Sequence, residues 1–491
     1  MKAARHGTLL LRLALVVLAL LAAGRQEAAA ARPSIVVILS DDEDLASHAY
    51  MTKTKALIED QGAVFVNFFA SYPFCCPART TLLRGQYSHN HRIEGNEWPT
   101  GGFDKFLAMG LQHSTVAAWL KATGYRTGFF GKLMNGYQAD KHAPLPGWDD
   151  WYGVGGGFTN FDYKLNENGH VVRYGDDPED HLTDVLARKA VGVIHAAEGS
   201  DEPLFLYIAP YDPHSPATPA PRHAGKFADL PFPVTPAFDE ADVSDKHGWI
   251  RELPPLAAWQ KEAVERHHRE RLRALLAVDD LVESVVAALD ETGRLDDTYV
   301  IYTSDNGFHM GQHRLFVGKT TAYEEDIRVP FVIRGPGIAP GRRVERMVLN
   351  NDLAPTLAAI AGAEAPSFVD GRSFLPLFAK PATPWRKSFL IERRQRETHE
   401  LTGAAVFDAL RTEHHTFIAF GTGERELYDL ARDPYQLDSF AERADPVLLE
   451  ALASRLAELK NCAAQNCREL EDLPVEPAPT PVAQSTEGGA G

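Results

Sequence analysis

Positive charge is scarce in this sequence, and its scarcity excludes one class of function. The 491 residues include 50 Lys and Arg against 67 Asp and Glu, which gives a formal net charge of −17. A nucleic-acid-binding domain is expected to carry a basic field, so we expect no nucleic-acid partner. An anionic substrate would be repelled by the molecule as a whole and would need a local cationic pocket.

Long hydrophobic runs are also scarce, so we expect no stable membrane insertion. The one prominent run, residues 13–23, follows the basic Lys2 and Arg5 and is short for a membrane span. Small residues follow at positions 28–31. This order predicts a secretory signal peptide over residues 1–31, with an uncleaved anchor as the alternative. The mature protein is then expected in a secreted, periplasmic or lysosome-like compartment.

Cysteine is limited to four residues, and no Asn-x-Ser/Thr sequon is present. An exported chain meets an oxidising environment, in which four cysteines allow three pairings. Cys462 and Cys467 are close in sequence and flank a turn-like Ala-Ala-Gln-Asn segment. We therefore favour a local disulfide between them, which leaves Cys75 and Cys76 free.

The remaining composition is that of a globular protein, 44% hydrophobic and 24% charged. Short apolar runs alternate with helical patterns through the first three quarters of the chain, which predicts a large, mostly parallel α/β sheet flanked by helices. The predicted strands are residues 34–40, 126–132, 204–209, 298–304 and 329–334, and the predicted helices are residues 114–122, 182–197, 256–289 and 352–361.

The pattern changes after residue 380. Strand-like runs at residues 389–393, 416–420 and 426–430, with a helix at 448–459, predict a smaller C-terminal antiparallel sheet plus a helix. From residue 473 the composition predicts disorder. The expected domains are a signal peptide at 1–31, a large α/β domain at 32–380, a C-terminal α+β subdomain at 381–472 and a tail at 473–491.

Polar residues stand where the predicted strands end. They are Asp41 and Asp42 after the first strand, Lys132 at the end of the second, His214 shortly after the third, and Asp305 and Asn306 after the fourth. Ligands of parallel α/β sheets bind at the carboxyl ends of the strands. We therefore expect these side chains to lie close together.

The most informative motif surrounds the first cysteine pair. Cys75-x-Pro77-x-Arg79 is followed by Thr-x-Leu-x-x-Gly. On residues alone, this could be a buried cysteine pair beside a turn proline. It resembles, however, the signature of the sulfatase family. The resemblance implies that a formylglycine-generating enzyme oxidises Cys75 to an aldehyde. The hydrated aldehyde attacks a sulfate ester with one hydroxyl and expels sulfate with the other, which a serine cannot do.

The two pairs Asp41-Asp42 and Asp305-Asn306 offer oxygen ligands suited to Ca²⁺ or Mg²⁺. Taken singly, each pair also fits a cap or a plain turn. The family resemblance implies that these four residues, with residue 75, form the metal site and hold one Ca²⁺ per chain. Such a cation acts as a Lewis acid and a template.

Arg79, Lys132 and Lys319 are the candidate cationic pocket. Arg79 lies four residues after Cys75, and a helix that begins near Pro77 would bring the two together. The amino end of that helix would add partial positive charge for an anion. Lys132 and Lys319 match lysines of the sulfatase family in order and context.

His214, in Pro-His-Ser-Pro, matches the general acid that protonates the leaving alcohol in the family. His309 and His313 are weaker candidates, which we assign to structural or supporting roles. Glu43 and Asp44 follow the first aspartate pair, and we interpret them as solvated or capping residues outside the metal site.

One position departs from many arylsulfatases, which carry a His two residues after Lys132. Here Met134 stands at that position and Asn135 follows, and an amide cannot act as a base at neutral pH. The pattern Gly-Lys-x-x-Asn-Gly-Tyr resembles the glucosamine-6-sulfatase branch, as do residues 75–77, 89–91, 213–216, 304–309, 426–430 and the late cysteine pair.

The resemblance covers about residues 33–470 and implies an alkaline-phosphatase-like α/β fold. It also implies a calcium-dependent sulfatase that acts on a sulfated small molecule, sugar or glycan. Two alternatives stay open. One is a phosphodiesterase or phosphonate hydrolase of the same superfamily. The other is a non-catalytic protein that binds sulfated glycans and retains an unconverted Cys75.

Overall fold

The computed structural model describes residues 32–380, 382–394 and 405–475. The predicted signal peptide, residues 1–31, lies outside the described residues, and so does most of the predicted tail, from residue 476 onward. In the described part of the chain, no helix is both long and apolar enough to cross a membrane.

The described residues form eighteen strands. In chain order they are β1 Ser34–Ser40, β2 Ala63–Phe65, β3 Phe68–Phe69, β4 Arg126–Lys132, β5 Asp150–Val154, β6 Lys164–Glu167, β7 His170–Arg173, β8 Leu204–Ala209, β9 Thr298–Ser304, β10 His309–Met310, β11 Val317–Gly318, β12 Phe331–Arg334, β13 Arg342–Val344, β14 Val348–Leu349, β15 Ser388–Arg393, β16 Phe407–Thr412, β17 His415–Phe420 and β18 Arg425–Asp429.

The longer helices are α1 Cys75–Arg84, α2 Gly102–Ala108, α3 Val116–Ala122, α4 Leu182–Ala196, α5 Ala258–Glu291, α6 Leu353–Ala361, α7 Pro446–Leu459 and α8 Gln465–Asp472. Short helices occur at Thr52–Thr54, Ser88–His91, Gly248–Arg251, Glu324–Ile327 and Pro376–Ala379.

A ten-stranded mixed sheet forms the centre of the molecule, in the order β13-β2-β12-β9-β1-β8-β4-β5-β6-β7. The five strands β9, β1, β8, β4 and β5 run parallel. Beyond them, β12 pairs antiparallel with both of its neighbours, and β6 and β7 extend the other edge in antiparallel fashion. The large, mostly parallel sheet expected from the sequence is therefore confirmed.

The central strand β1 is buried at all seven positions because helices cover both faces of the sheet. Ile35 and Val37 pack into the core beneath α1, α3 and α6. Val36 and Ile38 pack into a second core beneath α4 and α5. A strand covered on both faces requires apolar residues at successive positions, which explains its continuous apolar run.

The bounds of β1, β4, β8 and β9 coincide with the predicted strands. The fifth predicted strand, at 329–334, is shorter: β12 begins at Phe331, after Pro330, and pairs antiparallel. The sequence did not indicate β5, β6 or β7. All four residues of β7 are exposed, so this edge strand has no apolar run to reveal it.

A separate antiparallel sheet, β15-β16-β17-β18, lies in the C-terminal region with α7 and α8. This confirms the predicted smaller sheet and helix, although β16 was not anticipated. Cys462 and Cys467 form the expected disulfide, and Cys75 and Cys76 are free thiols. The proposed division into domains near residue 380 stays a prediction.

Arg386 joins the C-terminal region to the large sheet by a buried ion-pair network. Its guanidinium contacts both carboxylate oxygens of Asp352, with Nη2 at 2.8 Å from Oδ1, and its Nε donates to Glu471 Oε2 at 3.0 Å. All three side chains are fully buried. Asp352 precedes α6 and Glu471 belongs to α8, so one guanidinium connects the two regions.

We expect Arg386→Met to lower the free energy of unfolding by about 3–5 kcal/mol, because the two buried carboxylates lose the buried cation that they share, although Arg372 still pairs with Glu471 at 3.1 Å. The matched control is Arg443→Met, which removes an ion pair to Asp438 that is more than half exposed. That change should cost less than about 1 kcal/mol. Urea denaturation of both variants measures the difference, and equal losses would contradict the assigned role of Arg386.

Candidate active site

The site begins where β1 and β9 end side by side. Ser40 of β1 is level with Ser304 of β9, so the residues that follow both strands leave the sheet together. The Asp305 N–H donates to Ser40 O at 3.3 Å, and the Asp42 N–H donates to Asp305 Oδ1 at 3.0 Å. The parallel register thus brings the first aspartate pair and Asp305 into contact.

Lys132 reaches the same place from the end of β4. The preceding Gly131 has a φ of +106°, and a Cβ at this position would lie 2.1 Å from Ala209 O of β8. Glycine is therefore required for the two strands to approach here. The Lys132 ammonium is buried and contacts Asp41 Oδ2.

Cys75 is the first residue of α1, and its thiol is buried among charged groups. The Sγ atom lies 2.8 Å from Lys319 Nζ and 3.7 Å from Asp41 Oδ1. Burial raises the pKa of the thiol to about 11, although Lys132 and Lys319 oppose the shift. Because the thiol stays neutral near pH 7, an unmodified Cys75 would be a poor nucleophile.

Cys76 has different surroundings from Cys75. Its Sγ accepts the N–H of Asn135 at 3.2 Å, and its own N–H donates to Asn96 Oδ1 at 2.8 Å. Of the two adjacent thiols, only Cys75 contacts the acidic and cationic residues of the site in the described structure.

Asp41, Asp42, Asp305 and Cys75 each offer a ligand atom, and these four atoms all lie within 4.8 Å of one another. Asn306 adjoins them, since its Nδ2 donates to Asp42 Oδ1 at 2.8 Å. Its Oδ1 is buried and accepts no hydrogen bond from the described residues. A buried acceptor beside clustered carboxylates fits a hard cation such as Ca²⁺, so the donor set suits the metal that the sequence indicated.

Three cations balance the three carboxylates. The site contains three ion pairs: Lys132 contacts Asp41, Lys319 contacts Asp42 Oδ1, and Arg79 Nε donates to Asp305 Oδ2 at 2.8 Å. The three predicted cations thus lie together in an acidic chain, each paired with one aspartate.

The neighbouring cations set the charge states of the aspartates. Burial alone would raise the pKa of Asp41, but Lys132 and Arg79 hold it well below its usual value. The pKa of Asp42 is likewise lowered, against burial, by Lys319 and His214. Burial raises the pKa of Asp305 to about 6 despite Arg79.

His214 lies on the loop after β8, facing the aspartates. Its Nδ1 lies 2.6 Å from the backbone oxygen of Ser215, and its Nε2 lies 3.7 Å from Asp42 Oδ2. The carbonyl acceptor assigns a hydrogen to Nδ1, which leaves Nε2 to exchange a proton with a bound group. Burial lowers the pKa of His214, although Asp41 and Asp42 oppose the shift.

A cleft of about 420 Å³ opens beside Lys132. Its lining combines aromatic and amide side chains, and Trp98 at its edge is 64% exposed. The size and the mixed lining suit a small polar ligand with an apolar face. The lining includes Trp98, Phe103, Asn135, Gln138, Phe158 and Tyr211.

Arg271 supports the site, and sequence reasoning missed it. The side chain lies on α5 and is fully buried. Its Nη2 donates to the backbone oxygen of Asp42, and its Nη1 donates to Pro213 O at 3.2 Å. Asp42 has a φ of +69°, so the guanidinium stabilises an unusual backbone conformation that directs this aspartate. An arginine on the apolar stripe of a predicted helix was the available signal.

The interpretation of Glu43 and Asp44 needs correction in part. Glu43 is not solvated, since it is fully buried and accepts hydrogen bonds from Ser40 and Tyr302. Asp44 is also buried, and it caps Ser47 by accepting the Ser47 N–H at 3.0 Å. Both residues therefore have structural partners and lie outside the candidate metal site.

The two weaker histidine candidates, His309 and His313, pair with carboxylates outside the site. His309 Nδ1 lies 2.9 Å from Asp326, and His313 Nδ1 lies 2.7 Å from Glu240. Met134, at the position of the histidine found in many arylsulfatases, is buried with its sulfur 3.9 Å from Thr80 Oγ1.

Comparisons with known proteins agree with this geometry. Residues 33–363 match the family model described as Sulfatase, and residues 311–462 match one described as N-sulphoglucosamine sulphohydrolase, C-terminal. An N-acetylglucosamine-6-sulfatase of Capra hircus is 34% identical over 465 residues, which is 87% of this chain and 83% of that protein. An extracellular sulfatase SULF-1 homolog of Drosophila melanogaster is 38% identical over 375 residues, 74% of this chain and 33% of that protein.

Solved structures share the fold. One is a protein in complex with its substrate D-glucosamine-2-N,6-O-disulfate, with a TM-score of 0.75 and 22% identity. The match covers 90% of this chain and 99% of the solved one. A phosphonate monoester hydrolase of Agrobacterium radiobacter has a TM-score of 0.66 and 22% identity, covering 87% and 95%. The expected alkaline-phosphatase-like α/β fold is confirmed.

The buried acceptor of Asn306 predicts a measurable cation effect. Added Ca²⁺ should raise the melting temperature of chelator-treated protein, since a ligand at 100 times its Kd stabilises by about 2.7 kcal/mol. Asn306→Ala should reduce this shift. Asn166→Ala is the matched control: it removes another buried amide, which donates to His142 O at 2.8 Å, and should leave the shift intact. An equal Ca²⁺ response in both variants would contradict the ligand assignment.

Proposed function

Because the chain belongs to the sulfatase family, we propose that it hydrolyses the sulfate ester of a sulfated sugar with a formylglycine derived from Cys75. The chain is a sulfuric ester hydrolase by family. The observation that carries the finer proposal is the Cys75 thiol, which is buried at the start of α1 and lies within 4.8 Å of the ligand atoms of three aspartates. The name of the Capra hircus relative and the substrate of the solved structure support a glucosamine-type sugar.

The residues present fit both implied groups, the aldehyde at position 75 and the cation. As a hydrate, the aldehyde would supply one hydroxyl to attack sulfur and a second hydroxyl whose deprotonation would re-form the carbonyl and break the C–O bond to sulfate. A single Ca²⁺, held by Asp41, Asp42, Asp305, Asn306 and residue 75, would supply Lewis acidity and orientation.

The cations of the site would bind and neutralise the sulfate oxygens. Lys319 Nζ is 2.8 Å from Cys75 Sγ, within reach of a group bonded at this position. Arg79 Nη2 is buried and lies 3.5 Å from Asp41 Oδ1 without a hydrogen bond to the described residues, so it can donate to an incoming oxygen. Lys132 and the amino end of α1 add positive charge from other directions. Fixed charges of this kind stabilise charge that develops in the transition state.

His214 would protonate the departing alcohol. Its Nε2 faces the carboxylate cluster, and the hydrogen on Nδ1 is committed to a backbone carbonyl. Burial lowers the pKa of His214, so the imidazolium that donates a proton from Nε2 would form when the negative charge of a bound sulfate ester lies beside it. The adjacent cleft, with Trp98 exposed at its edge, would accommodate the sugar that carries this oxygen.

The proposal also covers export, maturation and domain organisation. The protein is exported after cleavage at about residue 31, and a formylglycine-generating enzyme acts on it during maturation. The catalytic residues belong to a domain at 32–380, with a C-terminal subdomain at 381–472. The name of the Drosophila melanogaster relative, an extracellular sulfatase, supports export.

Parallel assays test the proposal against its alternatives. The purified protein should turn over a 6-O-sulfated glucosamine faster than the matching phosphate or phosphonate esters. Preferred turnover of phosphodiesters or phosphonate esters would favour the hydrolase alternative. Binding of the sulfated sugar without turnover would favour a non-catalytic protein with an unconverted Cys75.

Cys75→Ser tests the nucleophile. A serine can attack sulfur and release the alcohol, but it has no second hydroxyl with which to expel sulfate. We expect at most one equivalent of alcohol per chain, with sulfate retained on residue 75 and detected by mass spectrometry. The matched control Cys76→Ser should keep turnover. Sustained turnover by Cys75→Ser would exclude the aldehyde mechanism.

His214→Ala tests the general acid. We expect turnover of the sugar sulfate to fall by about 10²–10⁴-fold. The loss on 4-nitrophenyl sulfate should be much smaller, because its leaving group needs little protonation. His223→Ala, which removes a histidine paired with Asp280 outside the site, serves as the control. Equal losses on both esters would remove His214 from this role.

A further inference from the structure

The ring of Phe158 contacts two of the residues assigned to catalysis. It stacks on the imidazole of His214, with ring centroids 4.3 Å apart and an interplanar angle of 18°. Lys132 Nζ lies over the same ring, 4.7 Å from its centroid. No motif identifies Phe158, which follows the glycine-rich segment after β5 and also lines the cleft.

The path of the chain brings Phe158 to this position. Gly155 packs so closely on the neighbouring loop that a Cβ would lie 2.0 Å from Tyr137 O. Gly156 follows with a φ of +102°, a conformation that other residues rarely adopt. The segment therefore turns tightly against Tyr137 and delivers the aromatic ring of Phe158 between the cleft and His214.

The imidazole of His214 needs such support. Its closest polar partner is the backbone oxygen of Ser215, at 2.6 Å from Nδ1, and the contact of Nε2 with Asp42 is long at 3.7 Å. The last torsion of a histidine side chain is broad, so one hydrogen bond leaves the ring plane poorly defined. A flat ring at stacking distance restricts that plane.

Lys132 depends less on Phe158 than His214 does. Its ammonium is buried and directly paired with Asp41, so it stays anchored when the aromatic ring is removed. Loss of Phe158 should therefore slow proton transfer from His214 much more than it weakens the binding of sulfate.

We propose that Phe158 is a positioning residue that holds the imidazole of His214 in the orientation from which Nε2 protonates the leaving oxygen. This inference rests on the proposed function, because it assigns Phe158 to the proton-transfer step of that reaction. Phe158 acts through His214, so its removal should matter in proportion to how much the leaving group needs a proton.

Phe158→Leu tests this with two sulfate esters. On a 6-O-sulfated glucosamine, kcat should fall by about tenfold or more, because misorientation of a catalytic group is costly. On 4-nitrophenyl sulfate the loss should be less than about threefold, since proton transfer contributes little there. Phe158→Tyr keeps a flat ring and should restore most of the loss.

Two further variants separate positioning from packing. Phe161→Leu makes the same change three residues along the chain, where the ring contacts His181 instead, and should leave the ratio of the two rates unchanged. Phe158→Met fills the space without a flat ring and should behave like Phe158→Leu. The methionine variant decides the question if the leucine variant unfolds.

A double-mutant cycle provides the decisive readout. In a His214→Ala background, Phe158→Leu should cause little further loss on the sugar sulfate, because the residue through which it acts is gone. Additive losses, or equal losses on both esters, would overturn the positioning role. Wild-type protein that hydrolyses neither ester would instead refute the proposed function, so the two failures are distinguishable.

Discussion

The candidate site depends on one electrostatic constraint, the burial of three aspartates at a single edge of the sheet. Carboxylates removed from water require opposite charge close by, or their burial destabilises the protein. Two lysines and one arginine supply that charge, each from a different part of the chain. The lysines and the arginine that neutralise the aspartates would also bind a sulfate ester. The aspartates would also bind a divalent cation. The structural requirement and the proposed chemistry therefore select the same residues.

This constraint explains why the fold has its particular arrangement. Parallel strands end at a common edge, which brings Asp41 and Asp305 together from β1 and β9. The first turn of α1 brings Cys75 and Arg79 to the same edge, with the helix amino end directed at any bound anion. Arg271 lies on α5, which covers the other face of the sheet from α1, and it fixes the backbone of Asp42 by donating to its carbonyl oxygen. At this edge each positive group is paired with an aspartate, so a bound divalent cation would supply the net positive charge that an anionic substrate needs in a chain of net charge −17.

The sequence predicted the central strands because burial on both faces imposes continuous apolar runs, as in β1 and β8. It did not predict β7, whose residues are all exposed, or β16. The nine candidate site residues could be identified because family motifs mark them, and the structure places them together, although their catalytic and metal roles stay predictions. Arg271 and Phe158 could not be identified in this way. Their roles come from contacts with Asp42 and His214, which are distant in sequence. The place of Arg271 on the apolar stripe of a predicted helix indicates that it is buried, but it does not identify the residue that it contacts.

The proposed reaction requires that an aldehyde derived from Cys75 is the nucleophile. Mass spectrometry of the peptide that contains residue 75, taken from an active preparation, tests it most directly. We expect a peptide in which the thiol is replaced by a carbonyl oxygen and which reacts with an aldehyde-specific hydrazide, in proportion to the specific activity. An active preparation whose peptide carries only the unmodified cysteine would exclude an aldehyde nucleophile at residue 75.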